Sequence, residues 1–512
     1  MNRSTDFTTT RRGIVKAAGA ASLGAALMKA GLPGLVSAQT PITETLDELV
    51  IDLSGGPDNL DPALTYSTRD WSIEHSIYDA LLHFDQDGNI VPLLAESFTT
   101  EDAITFDVTL RSGLTFHDST PVTTEAIKRT VDHIVAADSQ VSSLFRGITE
   151  VKLIDDLHAQ IITAEPSAWL PSQIAVWLVL YPETAGDDTW WTNPVGTGPY
   201  KFESYEAGNQ FTLVRNETYT WGSPKGTPIA DRVIFRFVPE AATRVADLST
   251  GAAHLIASVP SDQIAAVEAA GATALIEPIL GTAFIRIATD TKPFDDPLVR
   301  QAVNYAVDVQ TIATELVSSQ ARRLASIYPD PRGLGWDDTL EPFPYDPDKA
   351  RELLAEAGLA DGFDTTLQLA ATDNTSVVEA IAAQLGEVGI NVTIEQAELA
   401  AFNEAWPDPS APPLRYATWR PLYDPHTLLS LVFLSSGYLS RLDSARTDEL
   451  ITSAAAEGDL EKRRDLYHEL GRFFQEEPPA IFLWNVTSIY GVAAEAAGWQ
   501  PRGDEYIVPT HE

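Results

Sequence analysis

The stretch LQLAATDNTSVVEAIAAQLGEVGINVTIE, residues 367–395, decides the class of fold. Its apolar beginning, Leu367–Ala371, predicts a strand, and the periodic apolar run Val377–Val388 predicts a helix. Gly389 follows that helix directly, and Asn391–Glu395 predicts a second strand. A helix that ends at glycine and leads within a few residues into a strand is typical of α/β units, so the stretch predicts an α/β fold.

The same alternation of strands and helices extends outward from this stretch in both directions. Period-two alternation in Ile104–Leu110 predicts a half-buried strand, and Thr123 predicts the start of a helix that reaches Ala137. Pro297, at a first-turn position, opens what we expect to be one helix ending near Val317. The other predicted elements are strands at 49–53, 151–154, 159–163, 211–215, 231–239 and 480–484, and helices at 71–84, 241–249, 261–270, 346–358 and 460–476.

Length and composition restrict the class of protein. A chain of 512 residues that is 44% hydrophobic predicts a globular protein of two or three domains. Its net charge is −39, because 73 acidic residues outnumber 34 basic ones. Such a chain repels phosphate backbones and anionic lipid surfaces, which argues against a nucleic-acid partner. The absence of cysteine excludes disulfides, thiolate metal sites, thiol nucleophiles and a cysteine-linked lipid anchor.

Residues 1–38 predict an export signal. Arg11 and Arg12 open a basic segment, and an apolar stretch of small residues then leads to a cleavage site of the A-x-A type at Ala38. The arginine pair is typical of twin-arginine export, with an ordinary secretory signal as the alternative. Lys29 keeps the hydrophobicity of the stretch modest, which argues against a membrane-spanning helix. We therefore expect an exported, soluble mature chain, periplasmic or secreted, that starts near Gln39 and has no membrane anchor.

Motifs of known catalytic and metal sites are missing from the sequence. There is no G-x-x-x-x-G-K-[ST] loop, no G-x-S-x-G elbow and no H-E-x-x-H helix. The Gly196–Gly198 segment is no phosphate loop, because Pro199 removes a backbone donor. The sequence therefore predicts a protein without catalytic residues, metal or cofactor, and a secreted hydrolase is the alternative from a different class.

Nine blocks along the mature chain together resemble one known family, the extracellular solute-binding proteins, family 5, which are the peptide and nickel receptors of ABC importers. The blocks occur in the order typical of the family and cover nearly the whole mature chain. One departure is Ser119, which stands where the family usually has glycine. The blocks are Leu60–Ala63, Ile77–Leu82, Pro92–Phe98, Leu110–Asp118, Val195–Tyr200, Val299–Asp308, Tyr345–Leu354, Trp419–His426 and Arg464–Tyr467.

The resemblance implies a two-lobed α/β fold of the periplasmic-binding-protein type that closes on its ligand by hinge motion. It also implies an extra inserted domain and a discontinuous first lobe. Asp308 and Gly196–Tyr200 are interpreted as residues that form the fold. The implied domains are lobe I at 39–78, 194–281 and 480–512, the inserted domain at 79–193, and lobe II at 282–479.

The resemblance also implies which residues face the ligand, above all in the pattern W-x-x-x-Y-D-P-H. In peptide-binding members the acidic residue of the Asp-Pro pair holds the amino terminus of the ligand, which implies Asp424. In nickel-binding members the matching aromatic residues line the chelate pocket, which implies Trp419 and Tyr423. Asp424 before Pro425 is also a good N-cap for a helix over Leu428–Phe433, so both roles remain open.

Three further aromatic residues complete the predicted ligand site. Tyr66 and Trp71 follow the Leu-Asp-Pro block, where members of the family present a segment that lines the pocket. Trp484 ends the predicted C-terminal strand. Aromatic side chains supply large, rigid apolar walls with a polar edge, which suits a ligand of mixed polarity.

The sequence leaves the ligand itself open. Dipeptide receptors of the family carry an arginine just before the helix that matches Val377–Val388, whereas Asn374–Ser376 stand here. The arginine and the late histidine of nickel receptors fall on Gln140 and Gly437. A peptide-like or other small polar solute is therefore the expected ligand, with a metal chelate as the alternative. The expected partners are that solute and the permease subunits of an ABC importer, and we expect a monomer.

Overall fold

The computed structural model describes residues 45–57, 59–65, 67–137, 139–185, 190–420 and 424–511. The predicted export signal at 1–38 lies outside these residues. The strands are β1 Leu46–Leu53, β2 Leu82–Phe84, β3 Ile90–Pro92, β4 Ala95–Thr99, β5 Thr105–Leu110, β6 Ile148–Leu153, β7 His158–Thr163, β8 Tyr200–Glu206, β9 Gln210–Arg215, β10 Thr227–Pro228, β11 Ala230–Phe237, β12 Leu255–Ile256, β13 Thr273–Ile287, β14 Phe363–Ala370, β15 Ile390–Ala397, β16 Leu414–Trp419, β17 Ala480–Val492 and β18 Thr510–His511.

Helices connect most of these strands, as the sequence predicts for an α/β fold. The α-helices are α1 Thr68–Ile77, α2 Thr124–Ala136, α3 Gln140–Phe145, α4 Leu170–Trp177, α5 Ala241–Thr250, α6 Ile264–Ala269, α7 Pro297–Tyr305, α8 Val309–Leu316, α9 Pro347–Glu356, α10 Thr375–Glu387, α11 Leu399–Glu404, α12 His426–Leu428, α13 Ala445–Ala456 and α14 Leu460–Glu476. A short π-helix, Leu429–Phe433, continues α12.

A mixed sheet of ten strands organises the molecule. Its strand order is β15-β14-β16-β13-β17-β12-β1-β11-β9-β8, so the long antiparallel pair β13 and β17 stands between two groups of strands. Their register shifts between Pro278 and Thr282. At this shift Gly281 lies so close to Val486 that an added Cβ would be 3.1 Å from the Val486 Cβ atom. β13 and β17 therefore connect the two halves of the sheet.

Each half of the sheet has its own hydrophobic core. Ile481 and Leu483, in the first part of β17, pack in the core that contains strands β14 to β16. Tyr490 and Val492, in its last part, pack in the core of β1 and β11. A separate sheet, β4-β5-β7-β6, forms a third core with α2, α3 and α4. Contacts join residues 43–512 into a single unit, so the lobe boundaries given above stay predictions.

The helix predicted from Pro297 to Val317 is wrong, because the structure has two helices, α7 and α8, in this range. Asp308 leaves helical geometry at φ −77° and ψ 72°, and its carboxylate accepts a hydrogen bond from the Thr311 backbone N–H at 3.2 Å. Its own backbone N–H donates to Gln384 Oε1 at 2.7 Å. The aspartate is thus the N-cap of a new helix, since a carboxylate satisfies a free backbone donor better there than inside a helix.

The helix predicted over 71–84 also ends early, at Ile77. The reason is a close approach of two glycines to this point. Gly198 donates its backbone N–H to the Ile77 carbonyl at 2.8 Å, and a Cβ added to Gly196 would overlap the same carbonyl. The glycines therefore let another chain segment take the carbonyl of Ile77, and the residues after it turn away to form β2.

Candidate ligand-binding cleft

A polar cleft of about 670 Å³ lies between the two halves of the large sheet. This volume is within the range of about 300–1,000 Å³ that is usual for small-molecule sites. Seven of the fifteen described lining residues are serine or threonine, and three are charged. The cleft is lined by Ser54, Ser67, Thr68, Arg69, Trp71, Ser258, Val259, Pro260, Ser261, Val317, Arg420, Thr487, Ser488, Ile489 and Glu505.

An ion pair crosses the cleft from one side to the other. Arg420, directly after β16, approaches Glu505 with Nε 3.1 Å from Oε2, and its Nη1 donates to Oε1 at 3.1 Å. Ser488, in β17, donates its hydroxyl to the same carboxylate. Burial raises the pKa of Glu505 above its usual value of 4.5, although Arg420 and Ser488 oppose this shift. The carboxylate is therefore a buried acceptor that favours a cationic neighbour.

The backbone at Glu505 is in the left-handed region, with φ of 66°. A residue with a side chain is uncommon there and carries strain, which the surrounding structure must hold in place. Arg502 supports the same turn, because its backbone carbonyl accepts the Glu505 N–H at 3.1 Å. The strain therefore occurs at the residue that directs a carboxylate into the cleft.

Arg69 brings a second guanidinium to the cleft from the first turn of α1. The Ser67 hydroxyl caps this helix by accepting the Arg69 backbone N–H at 3.4 Å, and it also accepts from Arg69 Nε at 3.4 Å. A Cβ added to Gly55 would overlap the Arg69 Nη1 atom. Gly55 is therefore what allows this side chain to lie against the turn after β1.

Trp71 is the one predicted ligand residue that the described part of the chain places in the cleft wall. It is only 1% exposed and packs edge-on against Trp177 and Tyr506, with ring centroids 5.4 Å apart in each case. Its ring position is fixed by these contacts. A ligand in the cleft would therefore meet a rigid wall at this point.

Asp424 lies in a buried cluster and is already paired with Arg463. Its two carboxylate oxygens accept hydrogen bonds from Arg463 Nη1 at 2.6 Å and Nη2 at 2.9 Å. Ser172 donates to it at 3.2 Å, and the His426 backbone N–H donates at 3.0 Å. The interpretation of Asp424 as a helix cap thus agrees with this geometry. Its contact with a ligand amine stays a prediction.

His426 and Trp169 extend this cluster. Their rings stack at a centroid distance of 4.9 Å, and burial lowers the pKa of His426 to about 4. The imidazole is therefore neutral at physiological pH. Because Trp169 and Ser172 come from the region around α4, the cluster ties that region to the segment that follows β16.

The remaining predicted ligand residues are not brought to the cleft, or lie outside the described residues. Trp419 ends β16 and is half-buried against the core under α14, one residue before Arg420. Trp484, in β17, is buried in the core that contains strands β14 to β16. Tyr66 and Tyr423 are outside the described residues. The ligand contacts of these residues stay predictions.

Sequence reasoning missed the three charged residues of the cleft. Arg420 stands inside the pattern from Trp419 to His426, but a single arginine beside conspicuous aromatic residues gives no signal of its own. Glu505 and Arg69 are two among many charged residues. Only the fold brings residues 69, 420 and 505 together.

No helix in the described ranges is long and apolar enough to cross a membrane. Within the same ranges, no group of three or more His, Cys, Asp or Glu side chains is arranged to hold a metal ion.

Two cores joined by long shared strands, with a polar cleft between them, define the class of two-lobed periplasmic binding proteins. The chain belongs to the bacterial extracellular solute-binding proteins, family 5: the model of this family (described as its middle part) matches residues 89–440. The family resemblance and the two-lobed α/β fold expected from the sequence are confirmed. The members of this family are solute-binding proteins rather than enzymes.

Proteins similar to this chain are named as binding proteins, and two of their structures were solved with a bound ligand. The glutathione-binding protein GsiB of Salmonella paratyphi A is 29% identical over 391 residues, which are 73% of this chain and 72% of that protein. The periplasmic binding protein DppA of Helicobacter pylori, solved with the peptide STSA, has a TM-score of 0.72 at 23% identity. The match covers 88% of this chain and 94% of the DppA chain. NikA of Brucella suis, solved with Fe(III)-EDTA, has a TM-score of 0.79 at 22% identity. The match covers 90% of this chain and 98% of the NikA chain.

Proposed function

We propose that this protein is the receptor of an ABC importer for a small peptide-like solute that carries both charges, and that the solute binds in the cleft between the lobes. The observation that carries this proposal is the charge arrangement of the cleft. Two guanidinium groups, of Arg69 and Arg420, and one buried carboxylate, of Glu505, lie in a wall made largely of serine and threonine. A zwitterion has the complementary charges.

The ion pair across the cleft suggests how the solute is held. Its carboxylate would pair with Arg420 and Arg69, because a guanidinium fork binds carboxylates through two parallel hydrogen bonds. Its ammonium would replace Arg420 as the cationic partner of Glu505. Hydroxyl groups such as that of Ser488 would bind the peptide amides, as small polar side chains do in other ligand sites.

The proposal also assigns roles to the ligand residues that were predicted from the sequence. Trp71 would form the apolar wall. Tyr66 and Tyr423 lie outside the described residues, and the family resemblance is what supports them as ligand contacts. Asp424 is already paired with Arg463, so a ligand ammonium would have to share Asp424 with Arg463 or displace that arginine. Trp419 and Trp484 would support the two strands beside the cleft.

The names of similar proteins favour a peptide over other polar solutes. GsiB is named for glutathione, itself a tripeptide, and DppA was solved with a tetrapeptide. NikA was solved with an iron chelate, which supports a metal chelate as the alternative ligand. A polycarboxylate chelate and a zwitterionic peptide both offer carboxylates to arginine, and only the peptide also offers an ammonium to Glu505.

Delivery to a permease requires export and movement. We propose that residues 1–38 direct twin-arginine export, that the mature chain is monomeric and does not turn over its solute, and that the lobes close on the ligand. Closure needs a ligand that binds the closed form better than the open one. Arg420 and Glu505 come from opposite sides of the cleft, so a zwitterion that contacts both would supply this difference.

Calorimetric titration with tri- and tetrapeptides tests the proposal. We expect free peptides to bind, and we expect amidation of the C-terminus or acetylation of the N-terminus to weaken binding by about ten- to a hundredfold, the equivalent of about 1.5–3 kcal/mol for a lost charged hydrogen bond. Arg420→Gln should cause a similar loss for free peptides and little further loss for amidated ones. Arg446→Gln, at an exposed ion pair away from the cleft, is the matched control.

Equal binding of free and capped peptides would refute the role of the charged termini. Binding of nickel or iron chelates with no response to any peptide would support the metal-chelate alternative instead. Mass spectrometry of the same samples checks that the peptides remain intact, and their hydrolysis would contradict the receptor function.

A further inference from the structure

Two buried arginines lie opposite each other on neighbouring strands, next to α11. Arg286 in β13 and Arg415 in β16 are direct cross-strand partners, so their side chains leave the sheet on the same face. They are 1% and 0% exposed. Two like charges that are buried and directly opposed destabilise a sheet unless something compensates them.

The protein compensates these charges only in part. Arg286 Nη1 donates to the backbone carbonyls of Trp406 and Leu439, each at 3.3 Å, and Arg415 Nη2 donates to the carbonyl of Phe402. Both guanidinium groups also lie 4.9 Å from the ring centroid of Trp406. Backbone carbonyls and an aromatic face attract a cation, but neither carries a negative charge.

Four buried nitrogen atoms of the pair have no hydrogen-bond partner among the described residues: Nε and Nη2 of Arg286, and Nε and Nη1 of Arg415. The Nε–Nη2 edge of an arginine is the fork that binds anions through two hydrogen bonds. This edge is free in Arg286, whereas in Arg415 the Nη2 atom donates to Phe402 and the free Nε and Nη1 atoms do not share an edge. On the next strand, Gln368 pairs with Arg415, and its Oε1 atom is also buried without a partner in the described part of the chain. This oxygen is an acceptor and adds no donor for an anion, so the free donors at this place are those of the two arginines.

No carboxylate of the described residues balances the two charges. Asp290 is the one acidic group that acts on Arg286, and it is bonded to Arg441 at 2.6 Å. Burial lowers the pKa of Arg415 to about 10. Both guanidinium groups therefore remain protonated at neutral pH, and a positive charge in this core has no counterpart.

We propose that Arg286 and Arg415 form a buried binding site for a small inorganic anion of the size of chloride. The anion accepts hydrogen bonds from the free Nε–Nη2 edge of Arg286 and from a free nitrogen of Arg415, and it offsets the like charges on β13 and β16. β16 ends at Trp419, directly before the cleft residue Arg420. The site thus stabilises the strand that presents Arg420, and it is separate from the solute site.

Another buried arginine shows what full compensation by the protein looks like. Arg244, 3% exposed, donates to four backbone carbonyls at 2.7–3.0 Å, and none of its nitrogens is unsatisfied in the described structure. Arg244→Met is therefore the matched control for a change at the pair. It removes a buried guanidinium of the same kind without touching the proposed anion site.

The first test measures the melting temperature of the mature protein in sodium chloride and in sodium gluconate at equal ionic strength. Gluconate is a much larger anion than chloride and serves as the anion that we expect not to bind. A chloride concentration tenfold above its dissociation constant should raise Tm by about 1–2 °C for a protein of this size. Arg415→Met should abolish this difference, and Arg244→Met should retain it. Arg286→Met serves the same purpose if the Arg415 variant does not fold.

The second test needs no variant. Crystals of the wild-type protein soaked in sodium bromide should show an anomalous peak within hydrogen-bonding distance of both guanidinium groups. Absence of this peak, while surface bromide ions are seen, would overturn the proposal and leave the backbone carbonyls and the rings of Trp406 and Phe402 as the compensation. An equal chloride response of wild type and Arg415→Met would overturn it as well.

Discussion

Removing the charge of Asp424 separates its structural role from its predicted ligand role. In Asp424→Asn the remaining oxygen can still accept from the His426 N–H, so the cap is retained, while an amide NH2 replaces the oxygen to which Ser172 now donates. What disappears is the ion pair with Arg463, whose partners are each only 4% exposed. Breaking a buried pair by removing one partner typically costs about 3–5 kcal/mol.

The expected loss lies at the lower end of this range, about 3 kcal/mol, because Arg463 keeps other partners. Its guanidinium still donates to the carbonyls of Ala454 and Ala168, at 2.9 and 3.2 Å, and to the Tyr467 hydroxyl at 3.0 Å. The measurement is the free energy of unfolding from urea denaturation at pH 7. The double variant Asp424→Asn/Arg463→Met removes both charges and should recover more than half of the loss.

Peptide titration of the same variant then tests the ligand role. If Asp424 holds the ligand amine, Asp424→Asn weakens binding of free peptides by about tenfold or more, and N-acetylated peptides are unaffected. If it is structural, affinity per folded molecule stays unchanged. A loss of stability below about 1 kcal/mol would refute our reasoning about the buried pair. An equal loss in the single and double variants would refute it too.

Three further predictions concern pH, export and closure. Burial raises the pKa of Glu74 from 4.5 to about 8, so the folded state binds more protons than the unfolded state between these values, and stability falls as pH rises through them. Glu74→Gln should flatten this dependence in urea denaturation at pH 5.5 and 8.5, and an unchanged slope would contradict the assignment. Replacing Arg11 and Arg12 by lysine should leave precursor in the cytoplasm; normal export on immunoblots would rule out the twin-arginine route. Small-angle scattering should show a smaller radius of gyration with a bound peptide, and no change at saturation would count against closure.

The sequence was a good guide to elements whose signals are local. The helix predicted over 460–476 matches α14, and the strand predicted at 104–110 matches β5 to within one residue. Both have a clear periodicity, and Asp459 caps α14 through its first backbone N–H groups. The family could also be identified, because its nine blocks depend on residue order alone.

The sequence failed where a distant segment competes for a local group. The helix predicted beyond Ile77 ends because Gly198 takes its carbonyl, and the helix predicted through Asp308 breaks because Gln384 and the cap together favour a new start. Neither partner is near in sequence. Local periodicity cannot predict such a contact, since its partner is chosen by the packing of the whole chain.

The sequence by itself therefore determined the α/β class, most of the elements, and the solute-binding family. Only the tertiary structure decided which charges meet: Arg420 with Glu505 in the cleft, and Asp424 with Arg463 in the buried cluster. The buried pair of Arg286 and Arg415 likewise exists only through the register of β13 and β16. The physical reason is that the fold brings together residues far apart in the chain, and for Arg286 and Arg415 a shift of one residue in register would turn one of the side chains to the opposite face.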